Sequence, residues 1–548
     1  MSLRPSPIPP VPEATARVAL RSFRKGNLYL TLRDEIGTIY ADEQFSALFP
    51  PLGQPAAAPW RLALVCVMQF IEGLTDRQAA DAVRGRIDLK YALSLELDDA
   101  GFDYSILSEF RQRLIAGGIE NQVLDTLLSL CQTRGWIKER GKQRTDSTHV
   151  LAAIRGLNRM ETVAETLRAT LNALAVVAPD WLLKQVSPAW FDRYSTRIEE
   201  YRLPKSKEAR QAYAQTVGAD GAHLLNALYA ADAPPYLRAM PAVEILRQVW
   251  LQQYMVMEGS LRLRCAEDLP PAGVRIESPY DAEARYATKR DTHWSGYKVH
   301  LTESCDPDGV HLITHIETTQ AQVADADRAA PIQDALAEKA LSPGEHLLDA
   351  GYVDAALIVA SQQAGITITG PVRPDVSWQA QTENAYDLSA FTIDWENQRV
   401  TYPQGHTNVT WNPHPDQWGN AVISIQFPRP ACRACPVHHL CSKAKDGPRY
   451  LTLRMEAEHK ALQAARAAQK TPEWKTRYDL RAGIESSISQ SVRAFELRQT
   501  RYVGLARTHL QHVFTATAMN VVRLTSYLRG STPAKTRPSR FAALAPAA

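Results

Sequence analysis

Three acids stand out by where they fall. Asp146 lies inside a short strand pattern, QRTDSTHV, whose flanking residues alternate. A carboxylate there is poorly placed for packing, because a buried acid needs partners. Asp349 closes a later strand pattern, HLLDAGY, and its Ala-Gly-Tyr reads as a turn into the next helix. The C-terminal end of a strand in an α/β sheet is where sites usually form. Glu485 belongs to a helical stretch, TRYDLRAGIESSISQSVRAF. Two strand acids and one helix acid can converge on two divalent cations. Hard oxygen ligands suit Mg²⁺ or Mn²⁺. Two such ions, about 3.5–4 Å apart, activate the attacking oxygen and stabilise the leaving one in phosphoryl transfer. Spacing alone is thin support, since the chain holds 59 Asp and Glu and a lone Asp is ordinarily a cap or surface group.

A second constellation is CRACPVHHLC, which places Cys432, Cys435 and Cys441 in sequence with His438 and His439 between the last two. Three thiols and an imidazole can close a tetrahedral zinc site, although ligands this close usually take a fourth from elsewhere. Free thiols and an iron–sulfur cluster are the other readings. Cys66, Cys131, Cys265 and Cys305 are isolated and read as small core residues. Seven cysteines, odd and sparse, point to a reducing compartment rather than a disulfide framework.

The elements that must position these groups follow from pattern and charge. At 548 residues and 45% hydrophobic, the chain suggests three or four ordinary globular units. No apolar run reaches the roughly 18 residues of a membrane helix, and no membrane partner is expected. Net charge is only +3, yet residues 442–548 carry 19 Lys and Arg against 7 Asp and Glu. A basic C-terminal fifth suits a phosphate-facing surface, or a solvated helical one.

Residues 1–27 are Pro-rich, lack a signal-peptide core and read as a flexible leader. Residues 28–140 read as helical. APWRLALVCVMQFIEGL ends near Gly73, and Thr75 with Gln78 then makes a capping box for a second helix, TDRQAADAVRGRI. This pair resembles a helix-turn-helix, with Arg77 and Arg84 as candidate DNA contacts, although most such pairs are plain packing units. Residues 141–157 hold the first core strand and 158–258 a helical insertion. Residues 259–372 alternate strand and helix, the mark of a mixed sheet with flanking helices. Residues 373–455 read as a β-rich insertion with the Cys cluster and four tryptophans, 378, 395, 411 and 418. Those are core residues, or platforms for an extruded base. Residues 456–528 return to helix, and 529–548 read as a disordered tail.

The combination D-S-T, D-A-G-Y and Y-x₂-R-x₃-E resembles the DDE transposases of bacterial insertion sequences. The segment PWRLALVCVMQFIEGLTDRQAADAVRGRIDLKYAL, the C-P-x₄-C run and the late AMNVVRL resemble one group of them, the insertion-sequence eleven-eighty-two family. The resemblance spans roughly residues 15–530. It implies an α/β fold with an RNase H-like core, and it makes Asp146, Asp349 and Glu485 the catalytic, metal-binding triad with two Mg²⁺ or Mn²⁺. Tyr478 and Arg481 match the residues ahead of the glutamate. They fall on its helix face at about 100° per residue, which suits Arg481 to DNA phosphate. The basic residue expected seven positions after the glutamate is Val492 here. Arg493 follows, about 80° round the helix. Long gaps between the acids require inserted domains.

The resemblance further implies double-stranded DNA partners, the element's terminal inverted repeats and the target. It also implies a homodimer when active and a bacterial, cytoplasmic, nucleoid-associated location. Water and then a DNA 3′-hydroxyl would attack phosphorus. An inactive DNA-binding regulator is the first alternative, against which all three acids count. A metal nuclease without strand transfer is the second.

Overall fold

In a computed structural model, described over residues 2–531 with 540, 541 and 544, the chain is organised on a mixed sheet. β1 is Lys142–Leu151. A hairpin of β2, Tyr254–Met257, and β3, Ser260–Leu263, closes the helical insertion. β4 (Arg285–Lys289), β5 (Thr292–Ser304), β6 (Ile313–Gln320), β7 (Glu345–Leu347) and β8 (Thr367–Thr369) complete the six-stranded sheet with β1. β5 runs antiparallel to β1 along its whole length, and both β4 and β6 pair with β5. β7 and β8 add on in parallel.

β1 is central, so most of it is buried, and its sequence is polar. Its hydrogen-bonding capacity is spent inward: Thr145 meets Thr302 and His346, and Gln143 reaches Leu341 and Thr314. β7 pairs only with residues 142–144 of β1. The strand expected over 345–352 stops early because the Asp349 carboxylate takes the Gly351 N–H at 2.8 Å, an Asx turn that bends the chain away. Between Arg144 and Leu151, which bonds Arg498 and Thr500, one edge of β1 is therefore free, and a cleft opens there.

The helices of residues 28–140 do not form a separate body. Pro59–Glu72 lies against the C-terminal helix Leu505–Leu528, and their Phe70 and Phe514 rings stack at 5.7 Å. One continuous apolar core runs from these helices through β5, β6 and the C-terminal helix. The capping box of Thr75 and Gln78 forms, and Asp76–Gly85 buries Ala79, Ala80 and Val83. The helical insertion has its own core, centred on Trp190 and Trp250. So does the β-rich insertion, where hairpin β9 (Thr392–Asp394) and β10 (Arg399–Thr401) sits with a three-stranded sheet, β11 (Thr410–Pro415), β12 (Ala421–Gln426) and β13 (Tyr450–Arg454).

Two readings need correction. The 1–27 leader contains a helix, Glu13–Ser22, whose Thr15 and Ala19 are buried, and the Thr15 hydroxyl donates to the Leu95 carbonyl. Apolar spacing over a few residues was enough to dock it. Cys265 is exposed, not core, because it lies in the loop after β3 with its thiol on Asp268. Cys66, Cys131 and Cys305 are buried. The tail expected at 529–548 lies mostly outside the described residues. Among the described residues no helix is long and apolar enough to cross a membrane.

Several histidines are sealed in this framework. Burial lowers His346 and His512 to about 3 and His509 to about 4, against an ordinary 6.5. The unfolded chain binds protons below that ordinary value, and the native core refuses them. Stability is therefore complete above about pH 6.5 and is lost as pH falls toward the depressed values. Urea unfolding should show a flat midpoint above neutrality and a falling one by about pH 5, with His512→Asn flattening the fall. An unchanged midpoint across that window would contradict the assignment.

Candidate active site

The free edge of β1 presents Asp146. The Ser147 N–H donates to its Oδ1 at 2.7 Å, and Arg481 Nη1 donates to its Oδ2 at 3.1 Å. The same guanidinium reaches the Glu485 carboxylate through Nη2 at 2.6 Å. Arg481 thus stands between two of the three acids. Its side chain is 13% exposed, as buried as Asp146 at 14%, whereas Glu485 is 61% exposed. The Arg481 guanidinium also lies 5.9 Å from the Tyr478 ring centre, and Tyr478 stacks on Trp474 at 4.8 Å. The expected stripe of Tyr478, Arg481 and Glu485 exists. It is not one α-helix, however: Pro472–Asp479, a 3₁₀ turn over Leu480–Ala482 and Gly483–Phe495 follow one another.

Asp349 faces this group from the turn after β7. A Cβ on Gly351 would sit 3.1 Å from Asp349 Oδ1 and 3.5 Å from an unforeseen carboxylate, Asp325. Gly351 keeps that space open. Burial pushes the Asp146 carboxyl above its ordinary value. Ser147 and Arg481 pull it down, and nearby Asp349 adds to the rise. For Arg481 burial works against the charge, but Asp146, Tyr478 and Glu485 outweigh it and hold the guanidinium above its ordinary value. For Asp325 burial again opposes ionisation, and Lys298 outweighs it, so that carboxyl lies below its ordinary value. Among the described residues no group of three or more His, Cys, Asp or Glu is gathered closely enough to hold an ion. Arg481 bridges two of the three acids, Asp146 and Glu485.

Behind the cleft is a buried charge network. Glu303 on β5 is paired across the sheet with Arg144 on β1. Its Oε2 accepts from Arg144 Nε at 2.8 Å, and its Oε1 accepts from Arg523 and from the Ser487 hydroxyl. Arg144 also donates to the Leu480 carbonyl at 2.6 Å, inside the turn that carries Arg481. A Cβ on Gly483 would fall 2.0 Å from the Arg144 guanidinium, so any larger residue where the Glu485 helix meets β1 would displace Arg144 from its network. Alternation along β1 puts Arg144 on the same side as Asp146. That parity could have placed Arg144 from sequence. Nothing comparable marked Asp325.

The cleft itself is about 380 Å³, lined by Asp146, Ser147, Thr148, Glu485, Arg493 and Arg498 among others. Arg493 is exposed there despite its shift of one position, while Val492 packs against the core. Arg498, not anticipated, donates to the Thr148 hydroxyl at 2.8 Å. Arg77 stacks over Tyr104, and Arg84 pairs with Asp81 and the Ala100 carbonyl.

The cysteine cluster belongs to the small core of the β-rich insertion. The Tyr402 hydroxyl and the Arg449 N–H each point at a thiol, on Cys435 and Cys432. His438 is engaged with the Gly447 carbonyl at 3.1 Å, and His439 is exposed. The closed set a zinc ion needs is not formed among the described residues. Of the tryptophans, Trp395 and Trp411 pack edge to face, Trp378 lies under Lys443, and Trp418 is 76% exposed at the β11–β12 turn.

Comparison with known families matches residues 401–525 to a Transposase DDE domain and residues 19–113 to a Transposase domain (DUF772). The first match contains Glu485, the second the capped helix pair. No curated protein and no solved structure matched the chain. The two matches support a transposase of the insertion-sequence DDE kind, an enzyme acting on DNA.

The buried network makes a separate demand. Removing the Glu303 charge leaves two guanidiniums in the interior. Breaking such a pair costs about 3–5 kcal/mol. Glu303→Gln is expected to lower the denaturation midpoint accordingly, and a change no larger than an exposed ion pair gives would rule out this role.

Proposed function

We propose that this chain is a transposase of the insertion-sequence eleven-eighty-two kind, cutting the inverted ends of its element and joining them to target DNA. The observation that carries the proposal is Arg481 held between Asp146 and Glu485, with Asp349 near enough for its charge to raise the Asp146 carboxyl. The sheet supports an RNase H-like core: an antiparallel β6–β5–β1 followed by parallel β7 and β8, with acids on the central strand and just past β7.

In this reading Asp146, Asp349 and Glu485 hold two Mg²⁺ or Mn²⁺. Hard carboxylate oxygens fit them, and two of these acids already share a cation. Bound there, the ions would activate the attacking oxygen and stabilise the leaving one. The chain's own residues do the rest. Arg481 keeps Asp146 and Glu485 from repelling one another until DNA arrives, then turns its fork to a backbone phosphate. Tyr478 backs the guanidinium. Arg493 and Arg498 line the path of the strand. Arg77 and Arg84 mark the capped helix pair as a second DNA contact, and synapsis of two ends calls for a homodimer.

Element-end DNA incubated with the purified protein and Mg²⁺ or Mn²⁺ should be cleaved and joined. Asp349→Ala and Glu485→Ala should each abolish both steps, and retained cleavage in both variants would sink the triad. Cleavage without joining would favour a nuclease. Arg481→Ala should lower cleavage about 10²-fold, the effect of removing one charge-stabilising donor. Arg493→Ala should weaken binding alike on all sequences and lower the log–log salt slope by about one; an unchanged slope would place Arg493 off the DNA.

A further inference from the structure

Asp325 opens a 3₁₀ turn, Asp325–Arg328, just after β6, and nothing in its sequence context sets it apart. In the fold it reaches the Ser147 side chain, next to Asp146 on β1. Its Oδ1 accepts from the Ser147 hydroxyl at 3.1 Å and from Lys298 Nζ at 3.0 Å. Lys298 is itself anchored, donating to the Val323 carbonyl at 2.6 Å, so the cation held on the carboxylate is fixed. Ser147 is the residue whose N–H holds Asp146 Oδ1. The chain of contacts therefore runs from Lys298 through Asp325 and Ser147 to Asp146. It meets β1 where that strand has lost its β7 neighbour and has no ladder bonds on that edge. Asp325 Oδ2 in turn faces the Asp349 turn across Gly351.

We propose that Asp325 is a positioning residue of this pocket, fixing the Asp146 carboxylate through the Ser147 hydroxyl. The inference rests on the reading of Asp146 and Asp349 as cation-holding acids. Asp325 touches neither the DNA nor the reacting atoms. It sets the direction of an acid that does, as outer partners orient the ligands of metal sites. Lys298 neutralises it, so the pocket gains a fixed anchor without a further free negative charge.

Mn²⁺ binding to the full-length protein, measured by the loss of the free-ion electron paramagnetic resonance signal, tests this without reference to turnover. Asp325→Asn and Ser147→Ala should each weaken Mn²⁺ binding about tenfold, the usual effect of removing an outer partner. The double variant should be no weaker than the weaker single, because both changes cut one chain of contacts. Melting midpoints of all three should stay near that of the unaltered protein. Ser147→Ala is nearly isosteric and keeps the test sound if Asp325→Asn folds poorly. Binding within about twofold for Asp325→Asn, no effect of Ser147→Ala, or losses that multiply in the double variant would each overturn the proposal. Asp349→Asn separates the two failures. If it leaves Mn²⁺ binding intact, the reading of the acids falls. If it removes binding while Asp325→Asn does nothing, only the role of Asp325 falls.

Discussion

Glu303 has no exposure to water and sits between Arg144 and Arg523, with the Ser487 hydroxyl completing its partners. Three segments meet at this carboxylate: β1 with Asp146, the Gly483–Phe495 helix with Glu485, and the C-terminal helix. Burial opposes its charge. The two guanidiniums outweigh burial and hold it below its ordinary value. The network is not the cheapest way to fill that space, since apolar replacements of buried ion pairs are often as stable. What apolar residues lack is direction. Arg144 also bonds the Leu480 carbonyl, so the turn carrying Arg481 is set relative to β1 to within a hydrogen bond.

With the helix fixed in front of β1, the cleft follows from unequal strand lengths. β1 outruns β7, because the Asp349 side chain bends the chain into its turn. The same residue thus ends the strand that would have covered Asp146 and brings its own carboxylate to the gap. Gly351 keeps the gap open, as Gly483 keeps the helix close. Both glycines serve space rather than backbone freedom.

The electrostatics of the cleft are balanced by side chains. Lys298 answers Asp325, and Arg481 answers Asp146 and Glu485 together. A guanidinium can do this for two acids because its donors form a planar fork, which an ammonium lacks.

Periodicity made most of the elements legible: the helices of 28–140, the strands near 143, 295 and 313, and the helical return after 455 follow from local spacing of apolar residues. The Y-x₂-R-x₃-E stripe was legible for the same reason, since residues four apart on a helix touch whatever the rest of the chain does. The capping box was equally local. Asp325, Glu303, Arg144 and Arg498 depend on contacts between segments far apart in sequence, and no pattern within a segment predicts them. The docking of residues 13–22 and the shared core that joins the N-terminal helices to the sheet are of the same kind. The sequence by itself determined which residues form helices and strands and which side chains share a face, because those depend on neighbours a few positions away. Only the tertiary structure decided that β1 is unpaired on one edge beside Asp146, that Arg481 joins Asp146 to Glu485, and that Asp325 meets Ser147. Those contacts arise from segments that only the packed sheet and its helices bring together.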